Sequence, residues 1–564
     1  MINIVKRSFD ETSVTALTAS GVLPALARVL AARGITDASQ LESSLSGLIS
    51  PEKLTNSGAM ARLLADAVAQ DKKLLVIGDY DADGATATAV AVRGLRSMGG
   101  RVNYLVPNRF EYGYGLTPEI IALAAQSKPD MIITVDNGIA SVEGVQAAND
   151  LGIAVLVTDH HLPGDVTPQA ACILNPNQHG CDFPSKNLAG VGVIFYAMLA
   201  LRTELRQRGA FKDMSEPNLT ELLDIVALGT VADLVKLDNN NRILVEQGLR
   251  RIRSGKSCAG LGALLKLAGR DASRASAQDL GFSVAPRLNA AGRLDDMSLG
   301  IACLLADGEA EALAMAKKLH ELNHARRGIE ADMQDAAEIA LENIDTTGRY
   351  SLSLYQPEWH QGVVGILASR IKERYHRPVI AFAQAGDGTL KGSGRSISGL
   401  HLRDALDLLS KRQPDLIIRF GGHAMAAGLA IQETDFERFN AGFEAVVAGL
   451  LTPADLEAVI EVDGELDTAD IRWDTAFAIE RQVWGQGFPQ PAFCDAFQVI
   501  DQRVVGERHL KLTLSKQGRR FDAIFFQQQE FLPKDILAVY HLQTNQYNGA
   551  QAVQLSLRHW QVLV

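Results

Sequence analysis

Three short apolar runs in the first third of the chain each end in acidic or imidazole side chains. The runs are Leu74-Leu75-Val76-Ile77-Gly78, Met131-Ile132-Ile133-Thr134-Val135 and Ala154-Val155-Leu156-Val157-Thr158. Short and almost uninterrupted runs with many β-branched residues are typical of strands buried on both faces of a parallel sheet. Residues 85–98 and 118–125, which lie between the runs, have helical periodicity. The pattern therefore predicts an open α/β sheet.

The polar residues that follow the three runs predict where the chemistry lies. The first run leads into Asp79-Tyr80-Asp81-Ala82-Asp83-Gly84, the second into Asp136-Asn137-Gly138, and the third into Asp159-His160-His161. In an open α/β sheet, ligands bind in the crevice beyond the carboxyl ends of the strands. Because all three polar groups fall at that edge, we expect one functional site there.

Length and composition limit the class of protein. A chain of 564 residues is too long for one hydrophobic core, so about three or four domains are expected. The hydrophobic content of 47% is that of a globular protein, and no apolar run approaches the roughly 18 residues that a membrane helix needs. The N-terminal residues lack the features of an export signal. Five cysteines without a Cys-x-x-Cys pair indicate neither a disulfide framework nor a zinc site, which favours the cytoplasm.

The net charge of −11 is evidence against indiscriminate binding of nucleic acid, since proteins that bind it in this way are usually basic. It does not exclude a local basic groove, because bound divalent cations would offset much of the charge of an acidic site. Net charge therefore leaves the partner open.

The order of patterns along the chain predicts five parts. We expect a helical segment at 1–55, an α/β lobe at 56–308, a connecting helix at 309–344, a second α/β lobe at 345–452 and a small barrel at 453–564. The connecting helix is inferred from about 35 residues rich in Ala, Glu, Lys and Leu. The barrel is inferred from about five alternating segments, and an oligonucleotide-binding barrel is one possibility.

Two further stretches carry candidate polar groups. Asp233 lies in the apolar stretch Gly229-Thr230-Val231-Ala232-Asp233-Leu234-Val235, where a buried carboxylate would need a cation or a partner. The alternative for Asp233 is a helix cap. Ala285-Pro286-Arg287-Leu288-Asn289-Ala290-Ala291-Gly292-Arg293 is interpreted as a polar loop, suited to phosphate binding or to structural hydrogen bonds.

The ligand types predict the metal and the class of reaction. Oxygen and imidazole donors without a thiolate favour Mn²⁺ or Mg²⁺, and the histidine shifts the preference towards Mn²⁺. An EF-hand calcium loop is excluded because Val90 stands where that loop needs Glu and a strand precedes the acidic run. Neither nucleotide-binding glycine motif follows the strands. Two cations about 4 Å apart would serve in-line displacement at phosphorus, so hydrolysis of a phosphoester or phosphoanhydride is expected.

Taken in order, these motifs resemble those of the DHH phosphoesterase superfamily, and Gly421-Gly422-His423 is similar to the motif of its DHHA1 companion domain. With Pro286-Arg287-Leu288-Asn289-Ala290-Ala291-Gly292-Arg293, His360-Gln361-Gly362-Val363-Val364-Gly365 and a terminal barrel, the chain resembles the single-strand-specific DNA exonucleases of that superfamily. The resemblance implies a DHH-type parallel-sheet lobe and a DHHA1 α/β lobe joined by a long helix, plus a C-terminal OB-like β-barrel.

The resemblance also implies roles for individual residues. Two Mn²⁺ or Mg²⁺ ions would be held by six side chains, with Asp136 bridging them: Asp79, Asp81, Asp83, Asp136, His160 and Asp233. Catalytic roles fall to Asp136, to His161 beside the scissile phosphate, and to His423. Contacts to substrate phosphates, for which turn or capping duties are the alternative, are predicted for Arg109, Arg287, Asn289, His360, Ser393, Arg395, Gly421, Gly422 and His423.

The implied function is degradation of single-stranded DNA from 5′ to 3′ to mononucleotides, in DNA repair and recombination. We expect a cytoplasmic monomer, and the resemblance implies single-strand-binding protein as a partner. One alternative is a DHH phosphodiesterase that acts on short oligoribonucleotides, cyclic dinucleotides or pyrophosphate. The other is a non-catalytic nucleic-acid-binding scaffold, which the complete set of metal-binding residues disfavours.

Overall fold

The structure is a computed structural model that describes residues 2–108, 115–212, 215–342, 348–386, 388–506, 508–547 and 550–563. Two compact units are present. The smaller unit comprises Met1–Val5 with Glu321–Ile460, and the larger unit comprises Lys6–His320 with Glu461–Val564. The predicted first α/β lobe and the C-terminal barrel therefore lie in the same unit, and the division into five parts stays a prediction.

The N-terminal residues form strand β1 (Asn3–Lys6) and helices α1 (Glu11–Ala19) and α2 (Pro24–Ala31). Arg33, shortly after α2, forms an ion pair with Asp463, with 2.6 Å between Nη1 and Oδ1. Both side chains are only 2% exposed. The N-terminal segment is therefore joined by a buried charge pair to the region that leads into the barrel.

The larger unit contains the predicted parallel sheet. Its strands are β2 (Lys73–Gly78), β3 (Arg101–Leu105), β4 (Met131–Val135), β5 (Ala154–Thr158) and β6 (Cys172–Leu174). Their order is β3-β2-β4-β5-β6, and every neighbouring pair is parallel. All five residues of β4 are buried, as expected for a central strand covered on both faces.

Helices connect and surround these strands. They are α3 (Ser57–Ala69), α4 (Ala82–Ser97), α5 (Pro118–Ala125), α6 (Val142–Asp150), α7 (Gly190–Gln207), α8 (Leu223–Ala232), α9 (Asn239–Arg253), α10 (Ala259–Leu267), α11 (Ala285–Leu294) and α12 (Ser298–Leu305). Helix α4 is buried along most of its length, because it packs between the sheet and helices α7 and α8. The mixed α/β class of this lobe is confirmed.

The predicted connecting helix is α13 (Glu309–Glu342), and the division between the two units falls within it. The smaller unit then contains β7 (Leu352–Tyr355), α14 (Val364–Tyr375), β8 (Val379–Gln384), β9 (Thr389–Arg395), α15 (Leu402–Arg412), β10 (Arg419–Gly422), β11 (Ala426–Gln432) and α16 (Phe436–Leu450). Its sheet has the order β10-β11-β9-β8-β7. The pair β7 and β8 is parallel and the other pairs are antiparallel.

After β12 (Val459–Val462) and helix α17 (Trp473–Glu480), the larger unit ends in a closed barrel. The strands are β13 (Phe493–Val505), β14 (His509–Lys516), β15 (Arg519–Phe526), β16 (Asp535–Tyr547) and β17 (Ala550–Val562). Parallel pairing of β15 with β17 closes the barrel. The prediction of a barrel is confirmed, although several strands are longer than the short ones expected.

One local prediction is wrong. The stretch interpreted as a polar loop at 285–293 is helix α11, with Pro286 at its start, where proline is tolerated because the missing N–H has no helical partner. Helix α14 begins at Val364, after a turn in which the N–H of Gly362 donates to Nδ1 of His360. In the described ranges, every helix falls short of the combined length and hydropathy that a membrane-spanning helix needs.

Candidate metal centre and phosphate-binding residues

Three aspartates follow strand β2, and the start of helix α4 positions them. Oδ1 of Asp79 accepts the N–H of Tyr80 at 2.8 Å. Asp81 is the N-cap of α4, and its Oδ1 accepts the N–H of Gly84 at 2.9 Å. A carboxylate is favourable at this position because it satisfies an amide at the positive end of the helix. The acidic loop is therefore held rigidly at the carboxyl end of the strand.

Asp83 lies in the first turn of α4 and is almost completely buried. Its Oδ2 accepts the N–H of Gly190 at 2.6 Å, and its Oδ1 accepts that of Val191 at 2.9 Å. These two amides begin helix α7, whose N-terminus favours a negative charge. Asp83 thus joins the starts of two helices at the site.

Asp136 follows strand β4 with a φ of +62°, a left-handed conformation that is uncommon for a residue other than glycine. Its N–H donates to the carbonyl of Thr158 at 3.0 Å. A Cβ atom at Gly190 would lie 2.6 Å from Cβ of Asp136, so only glycine fits there. The backbone strain and this close approach place the buried carboxylate at the centre of the site.

Asp159 organises the turn that follows strand β5. Its Oδ1 accepts the N–H groups of His160 and His161 at 2.7 and 3.1 Å and lies 2.8 Å from Nδ1 of His161. Its Oδ2 accepts the N–H of Ile139 at 2.9 Å. Asp159 is therefore paired with the His161 ring, while Nε2 of His160 faces the carboxylates of Asp83, Asp136 and Asp233.

Asp233 is the C-cap residue of helix α8. Its main chain thus has the helix-cap position that was considered as the alternative to metal binding. Its N–H donates to the carbonyl of Gly229 at 3.0 Å. Its carboxylate reaches the site, with 3.5 Å between Oδ2 and Nε2 of His160. A carboxylate at a helix C-terminus meets the negative end of the helix dipole, which makes a cation at this position favourable.

The side chains converge on a small volume. Nε2 of His160 lies 3.2 Å from Oδ1 of Asp136 and 4.0 Å from Oδ2 of Asp83. The seven residues form three groups whose donor atoms lie within 4.8 Å of one another: Asp136 with His160 and His161, Asp83 with His160 and Asp233, and Asp79 with Asp81 and Asp136. Asp136 and His160 each belong to two groups, and a carboxylate such as that of Asp136 can be shared by two neighbouring cations.

Burial and mutual repulsion shift the pKa values of the aspartates. Burial, together with the charge of Asp81, raises the pKa of Asp83 to about 7, although its hydrogen bonds from two amides act in the opposite direction. Burial and then the charge of Asp83 also raise the pKa of Asp136 and of Asp233. Three buried carboxylates that repel one another would be stabilised by divalent cations.

The second histidine has the opposite environment. Burial lowers the pKa of His161, but the hydrogen bond to Asp159 and the charges of Asp159, Asp79 and Asp81 raise it to about 9 overall. For Asp159, burial raises the pKa, and the hydrogen bond and charge of His161 outweigh that effect, so that the pKa is lowered overall. Asp159 and His161 therefore behave as a charged pair.

The donor set fits Mn²⁺ or Mg²⁺. It consists of five carboxylates and one or two imidazoles, with no thiolate among the donors of the described residues. Oδ1 of Asp136 is buried and accepts no hydrogen bond among the described residues, as expected for an oxygen whose partner is a cation. The six predicted ligands and His161 are thus brought together; their role as metal ligands stays a prediction.

The smaller unit brings several of the predicted phosphate-binding residues together. A Cβ atom at Gly365, in the first turn of α14, would lie 2.8 Å from Oγ of Ser393 and 3.1 Å from Nη2 of Arg395. Nη1 of Arg395 donates to the carbonyl of Gly394 at 2.8 Å. The hydroxyl and guanidinium therefore lie over a helix N-terminus, a combination suited to an anion.

The glycine and histidine motif lies at the same end of this sheet. Strand β11 separates β10 from β9, with Gly421 opposite Gly428 and Gly428 opposite Ser393. The N–H of His423 donates to the carbonyl of Ala426, and Ala426 is opposite Arg395. Gly421, Gly428 and Ser393 therefore form one row across three strands, spaced at the roughly 4.8 Å between neighbouring strands, and Ala426 and Arg395 are paired two positions further along.

His360 is positioned differently. It begins the turn before α14, and burial lowers its pKa, so the ring is neutral over a wider pH range than usual. Its Nδ1 accepts the N–H of Gly362 at 3.1 Å, which is a capping role. A contact between His360 and a phosphate stays a prediction.

Two predicted phosphate contacts are engaged within the protein. Arg287 is buried in α11, where its Nη1 donates to the carbonyl of Ser283 and its Nε to Nδ1 of His320. Oδ1 of Asn289 accepts the N–H of Ala82 at 2.9 Å, so this motif supports the acidic loop after β2. The prediction that this segment is a loop is wrong because the segment is a packed helix, whereas the phosphate contacts of Arg287 and Asn289 stay a prediction. Arg109, predicted beside the aromatic residues 110, 112 and 114, lies outside the described residues.

Sequence reasoning missed the residues that follow the last strand of the sheet. Cys172-Ile173-Leu174 is a fourth apolar run, and Asn175-Pro176-Asn177 follows it at the same sheet edge. Nδ2 of Asn175 donates to the carbonyl of His161 at 3.0 Å, and Nδ2 of Asn177 donates to that of His160 at 2.6 Å. A polar group after a buried run was the available signal, but it is the sheet order that places it beside the histidines.

Comparison with known protein families agrees with this architecture. Residues 73–230 match the DHH family, N-terminal domain; residues 348–449 match the DHHA1 domain; and residues 462–559 match the RecJ OB domain. The fold and the site thus define a DHH-family protein that carries a DHHA1 domain and an OB domain.

Comparison with individual relatives assigns the chain to one family of DHH proteins. The chain is 52% identical over 552 residues to the single-stranded-DNA-specific exonuclease RecJ of Dickeya dadantii, covering 95% of this chain and 96% of that protein. It is 49% identical over 568 residues to that of Escherichia coli, covering 98% of each. The chain therefore belongs to the RecJ family of single-stranded-DNA-specific exonucleases.

A solved structure supports the same assignment. The crystal structure of RecJ in complex with Mn²⁺ from Thermus thermophilus matches all of this chain and 80% of that chain, with a TM-score of 0.85 and 31% sequence identity. The match includes the α/β lobes and the C-terminal barrel, since it covers the whole chain.

Proposed function

We propose that this RecJ-family exonuclease uses two Mn²⁺ or Mg²⁺ ions to hydrolyse single-stranded DNA, releasing mononucleotides from the 5′ end. The observation that carries the proposal is the group of Asp83, Asp136, His160 and Asp233, whose donor atoms converge although they come from four separate parts of the chain. Relatives named as single-stranded-DNA-specific exonucleases, one of them solved with Mn²⁺, support the substrate and the metal. The polarity rests on the resemblance of the ordered motifs.

The aspartates have defined tasks in this proposal. Asp136 would bridge the two cations, because it belongs to two donor groups and its backbone strain aims it at their centre. Asp79, Asp81, Asp83 and Asp233 would complete the cation shells. When bound, the cations would supply activation of water and neutralisation of the leaving oxygen, which is the chemistry of in-line phosphoryl displacement.

His161 would act on the substrate. Asp159 contacts it through Nδ1, fixes the ring orientation and favours the protonated form, as the raised pKa of His161 indicates. We assign Nε2 of His161 to a hydrogen bond with the scissile phosphate, where a proton can be donated as negative charge develops. His160 would instead be a ligand, since its Nε2 faces three carboxylates.

In the smaller unit, Ser393, Arg395 and the start of α14 would bind a phosphate group of the strand. His423 and the amides of Gly421 and Gly422 would add donors along the same edge. These contacts are sequence-independent, as an exonuclease needs if it is to degrade any strand. The barrel would hold the strand further from the cut site through charged and aromatic side chains.

The two alternative functions would require different structural features. A small-substrate DHH enzyme has no evident use for the closed barrel at 493–562. A non-catalytic scaffold would not need three buried carboxylates with raised pKa values, which destabilise the metal-free fold.

One assay separates the three functions. Single-stranded DNA labelled at the 5′ or the 3′ end, matched RNA, duplex DNA and a cyclic dinucleotide are each incubated with Mn²⁺, Mg²⁺ or chelator. We expect a labelled mononucleotide as the first product of 5′-labelled single-stranded DNA, with either metal and not with chelator. Faster hydrolysis of the cyclic dinucleotide would support the small-substrate enzyme, and strand binding without hydrolysis would support the scaffold.

We further propose that the protein acts in the cytoplasm as a monomer, with single-strand-binding protein as a partner, in DNA repair and recombination. The free cysteines, four of the five buried, are compatible with a reducing compartment. The partner and the pathway rest on the family resemblance. Size-exclusion chromatography with light scattering, with and without single-strand-binding protein, tests the monomer and the complex; a dimer, or no complex, would contradict them.

A further inference from the structure

The turn that carries both site histidines makes two kinds of hydrogen bond. The N–H groups of His160 and His161 donate to Oδ1 of Asp159, so the turn satisfies these donors itself. The carbonyl groups of His160 and His161 instead accept hydrogen bonds from a different segment of the chain. An irregular turn holds one geometry only when both kinds of backbone group have partners.

That segment is the short loop after strand β6. Nδ2 of Asn177 donates to the carbonyl of His160 at 2.6 Å, and Nδ2 of Asn175 donates to the carbonyl of His161 at 3.0 Å. Each asparagine thus holds the main chain of one histidine. The two segments are neighbours because β5 and β6 are aligned in parallel, with Thr158 opposite Leu174.

The loop is itself rigid. Oδ1 of Asn175 accepts the N–H of Asn177 at 2.6 Å, so the two asparagines are linked. Pro176 between them has a restricted φ, and its carbonyl accepts a hydrogen bond from Nζ of Lys186 at 2.7 Å. Asn175 is fully buried, which makes its hydrogen bonds stronger than those of an exposed amide.

We propose that Asn175 and Asn177 are positioning residues of the metal centre, which hold the main chain of His160 and His161 so that His160 is presented to the cations. The inference rests on the proposed metal-dependent function and adds two residues to it that do not contact the cations themselves. His160 needs such support because its single ring nitrogen Nε2 must serve a site shared with Asp136, Asp83 and Asp233, at distances of 3.2–4.0 Å. A small rotation of the turn would favour one carboxylate over the others.

The two adjacent histidines have different orientations. Their rings are 4.5 Å apart and tilted by 55°, with His160 facing Asp136 and His161 facing Asp159. The side chain of Asp159 contacts the ring of His161, whereas it accepts the backbone N–H of His160. On the other side of the turn, Asn177 holds the main chain of His160 directly through its carbonyl.

The test is Asn177→Ala, with Asn177→Asp as a second variant of nearly unchanged volume that replaces the amide donor by a carboxylate facing the carbonyl of His160. The Kd for Mn²⁺ is measured from the electron paramagnetic resonance signal of free Mn²⁺, and hydrolysis of single-stranded DNA is followed against Mn²⁺ concentration. We expect Mn²⁺ to bind about 10- to 100-fold more weakly, the range seen when a residue that supports a metal ligand is removed. Much of the hydrolysis rate should return at saturating Mn²⁺.

Asn149→Ala is the matched control. Nδ2 of Asn149 also donates to a backbone carbonyl, that of Gln169, at 3.0 Å, but it lies at the end of α6, away from the carboxyl edge of the sheet. This variant should leave the Kd for Mn²⁺ unchanged, whatever its effect on Tm. A role in folding alone would lower Tm in both variants without changing the Mn²⁺ requirement.

The wild-type measurements separate failure of this inference from failure of the proposed function. If the wild-type protein neither binds Mn²⁺ nor cleaves the strand, the proposed function falls and this inference with it. If the wild-type protein does both and the folded Asn177 variants bind Mn²⁺ within about twofold of it, well below the effect expected for a supporting residue, the positioning role is wrong and the proposed function stands. Weaker binding in the Asn177 variants but not in Asn149→Ala supports the positioning role.

Discussion

Two regions of the larger unit bury charged side chains, and they do so in different ways. In the first, Arg33 and Asp463 form a buried pair, and Oδ2 of Asp463 also accepts the N–H of Ala492. In the metal centre, Asp83, Asp136 and Asp233 form no ion pair with a lysine or arginine of the described residues. A charge that the fold compensates stabilises one structure, whereas a charge that it leaves uncompensated is available to a ligand.

The barrel also contains a buried carboxylate whose charge is compensated by neighbouring side chains. Asp495 is buried, yet Nζ of Lys516 and the hydroxyl of Tyr540 both donate to it, the latter at 2.7 Å. Burial and the charge of Asp495 raise the pKa of Tyr540, so the hydroxyl keeps its proton. Asp463 and Asp495 are thus paired with an arginine and a lysine, whereas Asp83, Asp136 and Asp233 form no such pair among the described residues.

The largest effect is expected for Asp136→Asn, because it removes the charge shared by two donor groups. Asparagine tolerates the left-handed backbone, so the fold is retained. Initial rates on single-stranded DNA should fall by more than about 100-fold, the upper end of what residues that only support a metal site contribute. The matched control is Asp130→Asn, at the opposite end of β4, where Oδ2 accepts the N–H of Lys73. Equal activity of both variants would remove Asp136 from the metal centre.

Asp463→Ala tests the compensated region. It leaves the Arg33 guanidinium buried without its partner, so the free energy of unfolding should fall by about 3–5 kcal/mol. Urea unfolding followed by tryptophan fluorescence measures this, since Trp484 lies beside Arg33. The Kd for Mn²⁺ of the folded variant should equal that of the wild type. A change in that Kd would show that the two charge regions are coupled.

The pH dependence of the stability of the metal-free protein tests the uncompensated carboxylates. The pKa of Asp83 is raised from 3.8 to about 7, so its protonated form contributes stability that is complete below about pH 4 and is lost as the pH rises through about 7. In chelator, Tm should therefore decline over this range, by an amount that Asp83→Asn reduces. With Mn²⁺, Tm should rise over the same range because deprotonated ligands bind better. A flat profile in chelator would contradict the raised pKa.

The smallest effect is expected for Glu461→Gln. Arg7 and Glu461 are as close as the buried pair, 2.7 Å between Nη2 and Oε2, but the Glu461 side chain is 58% exposed. Water and salt screen such a pair, so the free energy of unfolding should change by about 0–1 kcal/mol. If Glu461→Gln and Asp463→Ala lowered it equally, burial would not be what separates these charge pairs.

The strand ends could be located in the sequence because each strand has a local pattern of apolar residues followed by polar ones. The runs before Asp79, Asp136 and Asp159 identify three buried strands, and parallel strands bring their carboxyl ends to one edge. The convergence of these side chains at one sheet edge could therefore be predicted from the sequence, whereas Asp233 was ambiguous between ligand and cap because both need a polar residue at a helix end.

One prediction failed where a local pattern has two interpretations. The stretch around Arg287 and Asn289 has the composition of a loop, but it is a helix packed against the acidic turn: a Cβ atom at Gly292 would lie 1.9 Å from the carbonyl oxygen of Tyr80. The tertiary contact outweighs the weak local preference. The ion pair of Arg33 had no local pattern at all, because its partner Asp463 is 430 residues away along the chain.

The parallel sheet, the long helix, the barrel and the acidic edge could be predicted from the amino-acid sequence, since periodicity and strand-end chemistry are properties of neighbouring residues. The folded chain was needed to show that the barrel belongs to the same compact unit as the metal centre, and that Asn175 and Asn177 hold the histidine turn. These depend on which strands become neighbours and which buried groups find partners. The free energy of the whole chain determines these contacts, so they cannot be predicted from any short stretch of sequence.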